Sequence, residues 1–327
     1  LKNYFEFKTE SDTEVFLNLW KKYSSESLYD LRGMFAFVIF DRKKDTIYFG
    51  RDKLGIKPLY YAYVDGELVV ASETIIFKEI GFNSFNDEVL AETVVFGSSG
   101  DERTGIKHVN RCLPGYLYSY NLKTRKISSK VSEYESINSN LYKGKLLRDL
   151  DKKDLSTFVE KELIKSVKLH LQSDVGYSIQ LSGGVDSSLI VALAEKITKE
   201  KQKTFGLKIL GSEQDEAWAR KLVVDKFNCD HTEVEVSSKD FANYFEKTTK
   251  ALNSPIIHPG SIAIMKLYEE MSKSSPVAIT GEGADEAFMG YSRYREAKRL
   301  EKIGILAKIM PEFLISLTRY KEALAYT

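Results

Sequence analysis

With 327 residues, 43% apolar and 29% charged side chains, the chain is long enough for two domains that each bury a core, and its formal net charge of +1 argues against nucleic acid held by bulk electrostatics. Two cysteines, Cys112 and Cys229, with no CxxC pair and no cysteine/histidine cluster, argue against a disulfide framework or a structural zinc and fit a reducing cytoplasm. The longest apolar run, Met34 to Phe40, is far too short to span a membrane, and no signal peptide opens the chain.

Leu1 stands where an initiator methionine would, and Leu1 to Phe7 does not read as the opening of a domain, so an internal fragment is expected. Ser11 to Tyr23 then predicts a helix with Val15, Leu19 and Trp20 on one face and Asp12 placed to cap it. Met34 to Phe40 predicts a buried strand, Asp41 to Asp45 its turn and Thr46 to Gly50 the return. Leu59 to Val64 and Glu67 to Ser72 flank Asp65-Gly66, a strong hairpin signal, and Tyr116 to Tyr120 with Arg125 to Ser129 predict another. From about Ser128 to Asp154, Ser, Asn, Lys and Asp dominate and periodicity fades, as in a linker or an exposed helix.

Beyond it, helix Leu155 to Leu171 precedes strand Tyr177 to Leu181, and a helix is expected over Leu189 to Glu200. Strand Lys203 to Ile209 precedes helix Asp215 to Phe227, and strand Thr232 to Val236 precedes helix Lys239 to Leu252. Helix Ser261 to Lys273 then leads to strand Val277 to Thr280. This alternation predicts an α/β fold, a doubly wound parallel sheet with helices on both faces.

Two turns carry the chemistry. Ser182-Gly183-Gly184-Val185-Asp186-Ser187-Ser188 joins a short strand to a helix: its glycines let backbone approach an anion, its serines donate, and the helix dipole favours negative charge. It lacks the Gly-Lys-Ser/Thr ending of a Walker A loop and looks like the pyrophosphate loop of carboxylate-adenylating enzymes. Thr280-Gly281-Glu282-Gly283-Ala284-Asp285-Glu286 follows another short strand, and in doubly wound folds such turns share one crevice. Carboxylates beside a polyphosphate call for Mg²⁺, and Asp186 and Asp285 are the metal ligands expected; a solvated helix start is the alternative for the acidic cluster.

With these turns in place the chain resembles the glutamine-hydrolysing asparagine synthetase family over most of its length. Leu31-Arg32-Gly33-Met34-Phe35-Ala36-Phe37 and Gly50-Arg51-Asp52-Lys53-Leu54-Gly55-Ile56-Lys57-Pro58-Leu59-Tyr60 are similar to its glutaminase domain, as are Ala71-Ser72-Glu73 and Leu113-Pro114-Gly115. His170-Leu171-Gln172-Ser173-Asp174-Val175 is similar to the approach to its pyrophosphate loop. The resemblance implies a partial Ntn-type αββα glutaminase domain over residues 1–130, lacking its N-terminal portion, and a linker over 131–154. It implies next, over 155–327, a C-terminally incomplete ATP-binding synthetase domain of the adenine-nucleotide α-hydrolase-like kind.

It also implies an amide-forming ligase. MgATP adenylates the aspartate β-carboxylate, ammonia from glutamine displaces AMP, and ATP and Mg²⁺ are the co-substrate and cofactor. Leu181, Ser182, Gly183, Gly184, Asp186, Ser187, Ser188 and Gly281 would line ATP and pyrophosphate. Glu282 is the expected acceptor of the surplus proton and Asp186 the expected catalytic metal ligand. Asp12 matches an aspartate holding the glutamine α-ammonium, or is a simple helix cap. Asp215-Glu216 resembles a family acidic pair, or caps its helix. Partners are small molecules, with no nucleic acid and no membrane; a homodimer is left open, and the location is cytoplasmic.

Four departures bear on this. No residue here occupies the positions of the family's nucleophilic cysteine and oxyanion hole, and Cys112 and Cys229 read as small buried residues. The chain stops at Thr327, before the family's catalytic lysine. Met289 stands where the family usually has glycine. Asn253 to Ser261, with His258, matches the aspartate-using pattern poorly, which leaves open another carboxylate (a sugar acid or a peptide) as acceptor. An inactive binding relative is the reading from a different class; the intact Asp186, Glu282 and Asp285 argue against it.

Overall fold

The computed structural model describes residues 5–64, 66–131, 141–142, 145–212, 216–292 and 294. The chain divides into two compact units, Leu1–Ser156 with Phe245–Ser261, and Thr157–Tyr244 with Ile262–Thr327.

In the first unit, helix α1 (Asp12–Tyr23) is capped by Ser11, whose hydroxyl accepts from the Thr13 N–H at 3.2 Å. Asp12, expected as the cap, lies one residue inside. Ser11 is the last non-helical residue, so its side chain is the one that reaches the free amides, while Asp12 adds negative charge to the positive end of the helix. With α2 (Ser27–Asp30), α1 buries Trp20 and Leu28 against one face of an antiparallel sheet ordered β1-β2-β6-β7. These strands are β1 (Ala36–Asp41), β2 (Thr46–Arg51), β6 (Tyr116–Asn121) and β7 (Lys126–Val131).

The run expected to be a buried strand is half open: Val38 and Phe40 are 52% and 51% exposed. β1 is an edge strand whose alternation sends Phe37 and Ile39 to the helices and leaves its other face partly uncovered. A second antiparallel sheet, ordered β4-β3-β5, contains β3 (Tyr60–Val64), β4 (Glu67–Ala71) and β5 (Asn110–Arg111). The β3–β4 hairpin has the expected register, Val64 facing Glu67, and Gly66 takes φ +80°. The sheets pack through Phe49, Tyr118 and Tyr120 of one and Leu59 and Tyr61 at the other, with Cys112 among them. Phe77 of α3 (Ile75–Glu79) packs with Ala62 and Val109 on the outer face, so the layers run helix, sheet, sheet, helix.

α4 (Asp87–Phe96) was not predicted: its β-branched Thr93-Val94-Val95 run disfavours helix, and its largely exposed end, Val94-Val95-Phe96, carries no helical periodicity. The Arg51-Asp52 segment has a structural task. Asp52, 2% exposed, accepts from the N–H groups of Leu54, Ile56 and Lys57 at 3.0–3.2 Å and so shapes the turn that leads from β2 to β3. In the expected linker, β8 (Leu141–Tyr142) pairs with β9 (Lys145–Leu146), while 132–140 and 143–144 lie outside the described residues.

The second unit is the predicted alternation. Helix α5 (Lys152–His170) leads to β10 (Ser178–Gln180), α6 (Val185–Thr198), β11 (Lys203–Ile209) and α7 (Ala217–Phe227). β12 (Asp230–Val236), α8 (Ser238–Leu252, which from Phe245 on groups with the first unit), α9 (Gly260–Ser272, from Ile262 on in this unit), β13 (Ala278–Ile279) and α10 (Ala284–Phe288) follow. The four strands are parallel and ordered β12-β11-β10-β13. Ile179 packs with Val191 and Ala194 of α6 and Val223 and Val224 of α7 on one face, and Phe205 and Val234 with Leu267 and Met271 of α9 on the other. The sheet therefore has helices on both faces. The chain winds outward from β10 to β12 and returns to the far side of β10 as β13, so strand order reverses between β10 and β13.

Candidate active site

The reversal leaves a crevice at the carboxyl ends of β10 and β13, where ligands bind in folds of this kind. A cavity of about 190 Å³ lies there, and its lining includes Ser182, Gly184, Asp186 and Ser187 from the first turn and Thr280 to Gly283, Asp285 and Glu286 from the second. Gly281 makes the close approach possible: a Cβ on it would stand 3.1 Å from Asp186 Cβ and from the Ser187 nitrogen.

The helix after the first turn begins at Val185, four residues earlier than predicted, with Gly184 as its extended N-terminal cap. Asp186, Ser187 and Ser188 are thus in the first helical turn, which the apolar periodicity starting at Leu189 did not reveal. The serines organise the turn. Ser187 Oγ accepts from the Ser182 N–H at 3.1 Å and lies 2.8 Å from Ser182 Oγ, which accepts from the Gly184 N–H at 3.2 Å.

Of the residues expected here, Leu181, Gly183 and Ser188 do not line the cavity. Leu181 is fully buried in the core beside Ile179, leaving only its backbone for a ligand. Gly183, at φ +98°, packs back against α7, and the Ser188 hydroxyl donates to the Gly184 carbonyl at 2.7 Å. Gln180 and Tyr291 were missed. Gln180 lines the cavity from inside a strand and accepts a hydrogen bond from Tyr268 OH at 3.1 Å; a long amide side chain between Ile179 and Leu181, just before the Ser/Gly turn, is the signal that could have found it. Burial, and secondarily the charge of Glu282, push the Tyr268 phenol up. Tyr291 OH donates to Glu286 Oε1 at 2.9 Å at the same cavity.

The donor set suits Mg²⁺. Asp186 and Asp285 line one cavity, and magnesium takes one or two protein carboxylates and completes its shell with phosphate oxygens and water. No group of three or more His, Cys, Asp or Glu placed to hold a metal occurs among the described residues. A side chain at Gly290 would collide with the Asp285 carboxylate, so that glycine makes room for it.

Elsewhere, Asp12 is exposed on the first turn of α1 and Asn253 to Ser261, with His258, groups with the first unit. Asp215 lies outside the described residues; Glu216 precedes α7 and caps it without a side-chain hydrogen bond. Both cysteines are buried, and burial pushes the Cys112 thiol up to about 12 and raises Cys229 as well.

A parallel sheet with two glycine- and carboxylate-bearing turns at its switch point defines an α/β protein with a polar crevice at the carboxyl ends of its strands. Residues 159–325 match the Asparagine synthase family model, residues 1–134 match the Glutamine amidotransferase domain model, and the chain belongs to the asparagine synthase family. It is 30% identical over 321 residues to asparagine synthetase [glutamine-hydrolyzing] 1 of Bacillus subtilis, covering 94% of this chain and 49% of the relative. Asparagine synthetase B of Escherichia coli is 28% identical, over 91% of this chain and 50% of its own length. Amidase chyE of Penicillium rubens is 30% identical, over 90% of this chain and 45% of its own. The chain spans about half the length of these relatives. No described helix is long and apolar enough to cross a membrane.

Proposed function

We propose that this chain performs ATP-dependent amide formation: a carboxylate, in the simplest case aspartate, is adenylated in the crevice and the acyl adenylate passes to ammonia with release of AMP. One observation carries the reading, the meeting of the Ser182–Ser188 and Thr280–Glu286 turns across Gly281 at the switch point. The first supplies hydroxyls and a helix N-terminus for departing pyrophosphate, and the second supplies carboxylates. Asp186 and Asp285 would hold Mg²⁺, which neutralises charge on the phosphates. Glu282 takes the proton that ammonia sheds after attack.

Residues 1–130 are read as the glutaminase part, with Asp12 on the glutamine α-ammonium, 131–154 as a linker and 155–327 as the synthetase part. The match to an amidase, together with the unusual Asn253 to Ser261 segment, favours one second reading, the same adenylation on a different carboxylate.

Pyrophosphate exchange into ATP, dependent on an added carboxylate, tests both readings, and ammonia replaces glutamine in the assay. Asp186→Asn is expected to lower exchange at least about 100-fold. Glu282→Gln is expected to leave exchange near wild type and slow amide formation. Equal loss of exchange in Glu282→Gln would overturn the role given to Glu282, and absence of exchange with every acceptor would overturn adenylation. Exchange with other carboxylates but not with aspartate selects the second reading.

A further inference from the structure

Behind the phosphate turn, on the sheet face covered by α7, runs a chain of polar side chains that crevice chemistry leaves unexplained. Arg220 of α7 is 3% exposed, a burial that arginine tolerates when paired. Its side chain crosses β11 to reach β12. Nε donates to Glu233 Oε2 at 3.3 Å, Nη2 donates to Glu233 Oε1, and Nη1 donates to the Ser182 backbone carbonyl at 3.2 Å. His231 Nε2 lies 2.8 Å from Glu233 Oε2, and His231 Nδ1 lies 2.9 Å from Thr204 Oγ1. Strand alternation puts Thr204, Gly206, His231 and Glu233 on this one face.

Gly206 explains how the arginine crosses. Glycine weakens a strand interior and marks a close approach. A Cβ at Gly206 would stand 2.8 Å from Arg220 Cδ and 2.8 Å from Glu233 Oε2. Gly183 fits the same helix, where a Cβ would stand 3.0 Å from the Glu216 carbonyl oxygen and 3.2 Å from Arg220 Cγ. The phosphate turn is therefore seated on Arg220 and tied to it through Ser182. In a trans peptide the carbonyl of one residue and the N–H of the next point in opposite directions. Holding the Ser182 carbonyl toward Arg220 aims the Gly183 N–H away from it.

We propose that Arg220, braced by Glu233 and admitted by Gly206, is the positioning residue of the phosphate turn: by holding the Ser182 carbonyl it fixes the turn's amides and hydroxyls for a polyphosphate. The proposal rests on the adenylation reading for the identity of the ligand, and on hydrogen-bond geometry for the positioning itself.

Arg220→Met alone takes from the partly exposed Glu233 its arginine, leaving it only His231, and empties a buried guanidinium site, so a loss of stability would mask any effect on the turn. The test therefore uses Arg220→Met/Glu233→Gln, with Arg220→Lys and Gly206→Ala beside it, all in the full chain. Circular dichroism and thermal unfolding establish that each variant is folded. Hydrogen exchange of the peptide covering Ser182 to Gly184 reads the turn, and calorimetric titration with inorganic pyrophosphate and with MgATP reads binding. In the folded double variant, exchange at the turn is expected to quicken while α6 and β11 stay protected. Pyrophosphate and ATP are expected to bind about tenfold more weakly, the size of losing one charge-assisted hydrogen bond. Gly206→Ala is expected to act in the same direction by displacing the guanidinium. Arg220→Lys falls between, because an ammonium lacks the fork that spans carbonyl and carboxylate. A folded double variant with wild-type exchange and wild-type affinity would overturn the proposal and leave Arg220 as part of a core ion pair. If the wild-type chain binds neither pyrophosphate nor ATP, adenylation fails, and the positioning role stands or falls on the exchange of the turn.

Discussion

At Glu233, burial works against the ionised carboxylate, while hydrogen bonds and charge from Arg220 and His231 favour it and prevail, holding the group below its ordinary value. A carboxylate whose pKa is depressed by folding adds stability that is fully present above the unfolded value, about 4.3. That stability is lost as pH falls through the folded value. Urea unfolding of wild type and Glu233→Gln at a series of pH values should therefore give a stability difference that shrinks on acidification below about pH 4.3. A difference constant over that range would show that Glu233 contributes packing alone. None of this ion pair was legible in the sequence. Arg220 and Glu233 lie in ordinary amphipathic patterns on a helix and a strand, and only the alignment of β11 with β12 brings Gly206 beside Glu233 to let the arginine through.

The strands and helices of the parallel sheet were legible because each carries its own period and is bounded by glycine, proline or polar residues. β11 spans Lys203–Ile209 as predicted. Boundaries set by backbone geometry were less so, as in α6, where the helix starts inside the Ser/Gly motif. α10 shows the same physics at its other end. Met289 closes it with φ 57° and ψ 43°, its N–H reaching the Asp285 carbonyl, so the position where glycine was expected is left-handed. Side chains disfavour that region by about 1 kcal/mol, and Met289 is 64% exposed, so little burial is lost on removing it. Met289→Gly is expected to raise stability by about 0.5–1 kcal/mol in urea unfolding, less the freedom that glycine adds to the unfolded chain. A decrease would mean that the side chain contributes more than its exposure suggests.

For the whole molecule, each unit carries one of the two tryptophans: Trp20 in the first, 7% exposed, and Trp218 in the second, 70% exposed. Trp218→Phe should leave a chain whose fluorescence moves to longer wavelength when the first unit unfolds. Trp20→Phe should leave one that already emits as a solvated indole and moves little. A large shift from Trp218 alone would contradict its exposure. The change from period-two to strand–helix patterning falls where the antiparallel sheets give way to the parallel one, whereas the half-open β1 was not readable, because an apolar run does not say how many of its faces are covered.

β13 is two residues long, and it carries one wall of the crevice from a position about a hundred residues downstream of β10, so this pairing closes the longest loop in the parallel sheet. Such a pairing is expected among the last contacts to form and the first to fray. The crevice is thus expected to form only as folding of the second unit completes, and a molecule that bridges both turns would act as a clasp on the last strand. Nucleotide binding would then report how far the chain has matured as well as whether its chemistry is intact.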